Sequence, residues 1–324
     1  MTEFVLIVVG LLLALHLYRQ YWTRRELPQV SRASFSGEMF RVGQTVIARR
    51  PAANGSTRTV VCHPGFLEDM RYFQALYDND DCELVLVNNG NYHSPFDARS
   101  ATQLDWPHNP FESGTIEHDG FYMGHILENL VSGPDVTVHG HSRGGAVALE
   151  AGRQYPHLTA GARAILEAPV LPQGRAVGSG SDPVPNALMR YLLPLALGLS
   201  RNISAEKLNR QPMMRPTNEL KTELCLGVYT SARNYSTCVT NVRSIRDWQR
   251  DTDYSVYDHY PHITVVVGER DDVLDNASMI ASAEAGARRN HGLKILRTEQ
   301  TNHFVTLERP EYLRQIHDNP EVST

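Results

Sequence analysis

The stretch Val136-Thr-Val-His-Gly-His-Ser142-Arg-Gly-Gly145 constrains this chain more than any other part of it. A β-prone apolar run stands directly against Gly-x-Ser-x-Gly, and a helix-forming segment, 146–154, follows. A strand that reverses into a helix over so few residues leaves no room for side chains at the turn, so small residues at 140 and 144 are what permit it. The serine between them is then presented at the helix N-terminus with its hydroxyl exposed. The pentapeptide alone arises by chance, but the strand before it and the helix after it make Ser142 the candidate nucleophile.

The flanking pattern predicts the scaffold for such a turn. Strands are expected at 37–42 and 44–49, as a hairpin turning at Gly43, and then at 59–62, 83–87, 136–141, 164–166, 263–267 and 293–297. Helices are expected over 68–77, 113–130, 146–154, 277–287 and 310–316. Short apolar strands alternating with helices make a mostly parallel central sheet flanked by helices, an α/β fold. The interval 171–260 is too long for one strand-to-helix connection and carries helical patterns at 186–199 and 222–229, so it reads as a helical cap inserted after the sixth strand. The chain thus divides into an N-terminal segment 1–25, a core of 26–170 with 261–324, and the cap 171–260.

Residues 4–18 form an apolar run without formal charge that ends at Arg19. It is short for a span of about 20 residues, but Tyr18, Tyr21 and Trp22 suit the interface and Arg19 can snorkel, so a membrane anchor is expected. The start Met-Thr-Glu lacks the basic segment of a cleaved signal peptide, which stands as the alternative. Arg19, Arg24 and Arg25 follow the run and no basic residue precedes it, so the positive-inside rule predicts a cytoplasmic position for the rest of the chain, with the opposite topology as the alternative. The net charge of −5 carries no footprint for nucleic acid. Cys62, Cys82, Cys225 and Cys238 are not spaced as metal ligands, and Cys225 and Cys238 are left open between a bridge and two free thiols.

A serine hydroxyl needs a histidine base that is itself oriented by a carboxylate. The strand 263–267 ends at Gly268-Glu-Arg-Asp271-Asp272, which brings acids to the C-terminal edge of the sheet, and Asn302-His303 follows the last strand on that edge. In Gly140-His-Ser142-Arg-Gly144, Gly268-Glu-Arg-Asp271 and Asn302-His303 with Leu307-Glu-Arg-Pro-Glu311, the chain resembles the serine hydrolases of the α/β-hydrolase superfamily over about 37–316. That resemblance implies a triad of Ser142, Asp271 and His303, with Asp272 or Glu167 as the alternative acids. It also implies an oxyanion hole made by the backbone N–H of Arg143 and one from His63-Pro-Gly-Phe66, where Phe66 is expected to donate and Leu67 stands in reserve because Pro64 has no N–H.

The expected activity is cleavage of a carboxylic ester, of a lipophilic acyl substrate, with no cofactor and no metal. An acyltransferase or a thioesterase on the same fold is the alternative, and a non-catalytic binding protein a further one. His139 and His141 are expected to point away from the nucleophile, and His118 and His125 to share a helix face without binding metal. The leucine face 188, 192, 195, 199 of the cap is expected to pack internally.

Overall fold

The computed structural model describes residues 1–29, 33–178 and 183–318. Its sheet has the strand order β5-β1-β2-β4-β3-β6-β7-β8-β9. These strands are β1 (Glu38–Val42), β2 (Thr45–Arg50), β3 (Arg58–His63), β4 (Glu83–Val87), β5 (Thr102–Gln103), β6 (Asp135–His141), β7 (Arg163–Glu167), β8 (His262–Gly268) and β9 (Leu293–Thr298). From β4 to β9 neighbouring strands run parallel, whereas β2 runs antiparallel to β1 and β4. The β-branched runs explain the layout: Val60, Val61, Val138, Val265 and Val266 are fully buried, as central strands covered on both faces must be. The expected hairpin forms, with Gly43 in its turn at φ 53°. The short β5 adds a strand that the apolar pattern did not signal, so the helical insertion follows the seventh strand.

Helices cover the sheet on both sides: α2 (Arg71–Tyr77), α3 (Ile116–Asn129), α4 (Arg143–Gln154), the single turn α5 (Pro156–Thr159), α10 (Asn276–Ala287), α11 (Val305–Glu308) and α12 (Glu311–Asp318). α2 starts later than its pattern suggests because Leu67 turns at φ 65° and the Asp69 carboxylate accepts from the Arg71 N–H at 3.0 Å. α3 starts at Ile116, where the Thr115 hydroxyl accepts from the His118 N–H at 3.2 Å.

Between β7 and β8 lie α6 (Pro183–Ser200), α7 (Ala205–Asn209), α8 (Glu219–Gly227) and α9 (Tyr235–Asp251). α9 reaches into the main core. Its Trp248 is buried in the main core and donates from Nε1 to Glu150 of α4 at 3.1 Å. The leucine face of α6 is split, because Leu195 is buried while Leu188 and Leu199 are 55% and 73% exposed; internal packing therefore accounts for only part of it. All four cysteines are buried free thiols, which settles Cys225 and Cys238 as unbridged.

The N-terminal helix α1 (Thr2–Arg24) stands clear of the core, with Trp22 its buried residue. At 23 residues and mean hydropathy 1.7 it is long and apolar enough to cross a membrane. Its end docks on the cap: Trp22 meets Tyr235 at 5.8 Å between ring centroids, and Arg19 Nε donates to the Tyr191 carbonyl at 2.9 Å.

A buried ion pair fastens α8 to the segment that follows β9. Lys221 Nζ donates to Glu308 at 2.5 Å and to the carbonyls of Met213 and Pro216 at 2.8 and 3.1 Å, all out of solvent. Burial pushes the Lys221 ammonium down and the Glu308 carboxyl up from their ordinary values, so each charge depends on the other. Lys221→Met should therefore cost about 3–5 kcal/mol by leaving Glu308 buried and alone, and adding Glu308→Met should recover most of it. Urea unfolding of the single and double variants checks this; equal losses in both would show that the pair does not act as a unit.

Candidate active site

The C-terminal ends of β3, β6, β7, β8 and β9 converge at one edge of the sheet, and there the turn after β6 holds Ser142 at φ 52°, ψ −116°. This backbone conformation is strained for a residue with a side chain and persists only where its surroundings enforce it. They do so here through close approach. A Cβ at Gly144 would lie 1.9 Å from the His63 carbonyl oxygen, and one at Gly140 would lie 2.2 Å from that of Gly144. Hydrogen bonds fix the turn from the other side: Ser142 N–H donates to the Glu167 carbonyl at 2.8 Å, and its own carbonyl accepts from Val170 at 2.9 Å.

His303, in the loop after β9, places Nδ1 2.8 Å from Asp271 Oδ2. The other Asp271 oxygen accepts from the Val273 and Leu274 N–H groups, each at 2.8 Å. Burial opposes the charge of Asp271, yet His303 and these amides hold its carboxyl below the ordinary value. The alternative acids are engaged elsewhere. Asp272 pairs with Asn302, accepting from its side-chain amide at 2.7 Å and donating its own N–H to the amide oxygen at 2.9 Å. Glu167 accepts from Tyr72 Oη at 2.5 Å and from the Thr306 N–H and hydroxyl at 2.6 and 2.8 Å. Despite full burial, the carboxyl of Glu167 is held at about 2 by His139, by the charge of His141 and by Tyr72.

For the oxyanion donors, the Leu67 N–H is already taken by Tyr92 Oη at 3.2 Å. Among the described residues the N–H groups of Phe66 and Arg143 have no acceptor, so both are free to serve a ligand. The Arg143 side chain turns inward instead. Fully buried, it donates to Asp119 and Asn89, each at 2.7 Å, and to the Gly114 carbonyl at 3.0 Å. His118 binds the other Asp119 oxygen at 2.8 Å. His125 instead packs in an aromatic cluster with Trp106 and Phe121.

The sequence reasoning missed the groups that join the loops of the site. His139 does point away, toward Tyr77 Oη at 2.7 Å. His141 does not: Nδ1 lies 2.7 Å from Glu68, Nε2 lies 2.9 Å from the His303 carbonyl, and its ring stands 4.9 Å from that of His303. Both nitrogens face acceptors, so only the doubly protonated ring satisfies them. Burial alone would lower the pKa of His141; the Glu68 carboxylate outweighs it and raises the value to about 9. Glu68 also accepts from the Gly65 N–H at 2.8 Å, which ties the loop after β3 to the turn after β6 and, through His141, to the His303 backbone. The one cue in the sequence was the histidine next to Ser142, which fell on the strand phase of the buried face. Glu68, His141 and His303 set potential ligand atoms within 4.8 Å of one another, and both nitrogens of His141 already face acceptors there, Glu68 and the His303 carbonyl.

A family model described as "Alpha/beta hydrolase family" matches residues 60–316. No curated protein sequence matches the chain. Among solved structures, a thermophilic esterase from Thermogutta terrifontis is similar at TM-score 0.59 and 16% identity, over 92% of this chain and 100% of that one. An N-acyl homoserine lactonase is similar at 0.58 and 13%, over 89% and 99%. A hydrolase from Oleispira antarctica is similar at 0.58 and 14%, over 84% and 94%. At these identities the likeness is one of fold.

The His141 geometry makes a signed prediction. Because its folded pKa is raised from 6.5 to about 9, its stabilisation is complete below about pH 6.5 and is lost as pH rises through about 9. The stability difference between wild type and His141→Gln should shrink over that window in chemical denaturation at fixed ionic strength. A constant difference from pH 6 to 9.5 would contradict a charged His141.

Proposed function

The chain belongs to the alpha/beta hydrolase family, and from the geometry of its site we propose that it cleaves a carboxylic ester through an acyl-enzyme on Ser142. The observation that carries this reading is the strained serine of the β6–α4 turn on the same sheet edge as the bonded pair His303–Asp271. In the proposed reaction Ser142 Oγ attacks the ester carbonyl while His303 Nε2 takes its proton. Asp271, holding Nδ1–H, keeps the Nε2 lone pair available and stabilises the imidazolium that forms. The N–H groups of Phe66 and Arg143 receive the developing oxyanion. His303 then returns the proton to the leaving alcohol, and water repeats the sequence to release the acid. No step needs a metal or a cofactor.

The acyl group is taken as lipophilic because Leu67, Tyr72, Leu224, Val228, Phe304 and Leu307 stand beside the site; with Glu68, Asp69 and Cys225 they wall a cavity of only about 20 Å³, room for about one water. Ser142 and His303 are only 6% and 3% exposed, so α8 and the turn 212–215, which bond to the segment after β9, must shift to admit a substrate. The same reading takes 1–25 as an anchor that holds the hydrolase core (26–170 and 261–324) and the cap (171–260) at a bilayer, on the cytoplasmic side by its arginines. Retention of the full chain in carbonate-washed membranes tests the anchor.

Ser142→Ala should abolish turnover of p-nitrophenyl esters, and Asp271→Asn should lower kcat by roughly 10³-fold or more, with thermal stability retained in both. Asp272→Asn should cost far less, since its carboxylate faces Asn302. Rates across acyl chain lengths and against thioesters settle the substrate class; turnover by Ser142→Ala would sink the acyl-enzyme.

A further inference from the structure

An open cleft of about 670 Å³ lies away from Ser142, where the end of α1 meets the end of α6. One wall is aromatic and basic, formed by Tyr18, Tyr21, Trp22 and Arg25; Leu199 and Arg201 form the other. The walls are packed tightly against each other at the base, since a Cβ on Gly198 would come within 2.5 Å of the Trp22 ring. The two guanidinium groups converge on that ring, with Arg201 Cζ at 5.3 Å and Arg25 Cζ at 5.7 Å from its centroid. Arg25 also lies 5.4 Å over Tyr21 and donates to its hydroxyl.

Neither arginine has a carboxylate within ion-pairing distance among the described residues. The nearest acid in sequence, Glu26, faces Arg233 at 3.9 Å instead. Two unneutralised guanidiniums over an aromatic floor make a site for an anion, because each still has planar donors to offer to phosphate oxygens. Position narrows the ligand further. The cleft opens where a 23-residue apolar helix ends, and Leu17 and Leu199, 59% and 73% exposed, extend an apolar surface beside it. A ligand that uses both parts carries an anionic head and a hydrocarbon tail.

We propose that this cleft binds the phosphate of an anionic phospholipid, whose acyl chains lie along α1. Asn202, also at the cleft, offers a neutral partner to the head group's hydroxyls. The site rests on α1 lying in lipid and is independent of the chemistry at Ser142, so an inactive protein would still show it. Binding here would set the height of the cap against the bilayer through the packed junction of Trp22 with Gly198 and Tyr235.

Native mass spectrometry of the full-length chain in nonionic detergent, offered equal phosphatidylglycerol and phosphatidylcholine, reads the selection directly. Phosphatidylglycerol adducts should exceed phosphatidylcholine adducts about tenfold, and the double variant Arg25→Gln/Arg201→Gln should bring the ratio near one. Arg24→Gln removes a charge from the same helix end outside the cleft and should leave the ratio unchanged. Excess inorganic phosphate should not displace the lipid. Equal adducts in wild type, an unchanged ratio in the double variant, or an equal fall in Arg24→Gln would each overturn the proposal. Displacement by inorganic phosphate would make the cleft a free-anion site instead.

Discussion

Everything at the sheet edge depends on how closely the start of α4 approaches the end of β3. With 1.9 Å between the His63 carbonyl oxygen and a would-be Cβ at Gly144, no side chain fits, and the chain must reverse within a residue. That reversal puts Ser142 in a conformation costing about 1–3 kcal/mol. The strain is held by neighbours already in place, namely the Glu167 carbonyl that receives the Ser142 N–H and the Val170 N–H that caps its carbonyl. The same closeness leaves the Arg143 N–H at the free end of α4, beside Ser142, with no acceptor among the described residues.

Around this turn the protein buries several charges in pairs. Arg143 with Asp119, His141 with Glu68 and Lys221 with Glu308 are all removed from water. Such pairs contribute little net stability, since desolvation offsets most of the attraction, but each is costly to break singly. Their value here is positional. Asp119–Arg143 lies beneath the turn at Ser142, Glu68–His141 joins the loop after β3 to the backbone of His303, and Lys221–Glu308 ties α8 to the segment that follows His303. The loops contributing the serine, its partners and the cover are thus linked by interactions that tolerate little displacement.

How much of this was legible in the sequence varies with the kind of signal. The elbow, the parallel strands and the order of Ser142, Asp271 and His303 were readable because each leaves a local trace: small residues at a turn, β-branched runs, an acid after a glycine turn. α9 left none. Its sequence, Tyr-Ser-Thr-Cys-Val-Thr at the start, is rich in β-branched and polar residues, and tertiary packing of Trp248 together with the Asn234 cap makes it helical. Glu68 read as a helix residue, and only the positive φ at Leu67 turns it toward His141. The leucine face of α6 read as one packing surface, although the helix is apolar on more than one side and its outer leucines remain exposed. Partnerships across long sequence separations, such as that of His141 with the His303 carbonyl, have no local signature at all.

The central claim is that Ser142 is an activated nucleophile and not merely a serine in a tight turn. Intact-protein mass spectrometry after exposure to a fluorophosphonate tests it without any choice of substrate. The account predicts one covalent adduct, mapped by proteolysis to the peptide containing Ser142 and formed far more slowly in His303→Ala. An unmodified folded protein, or an adduct on another residue with Ser142 untouched, would contradict it.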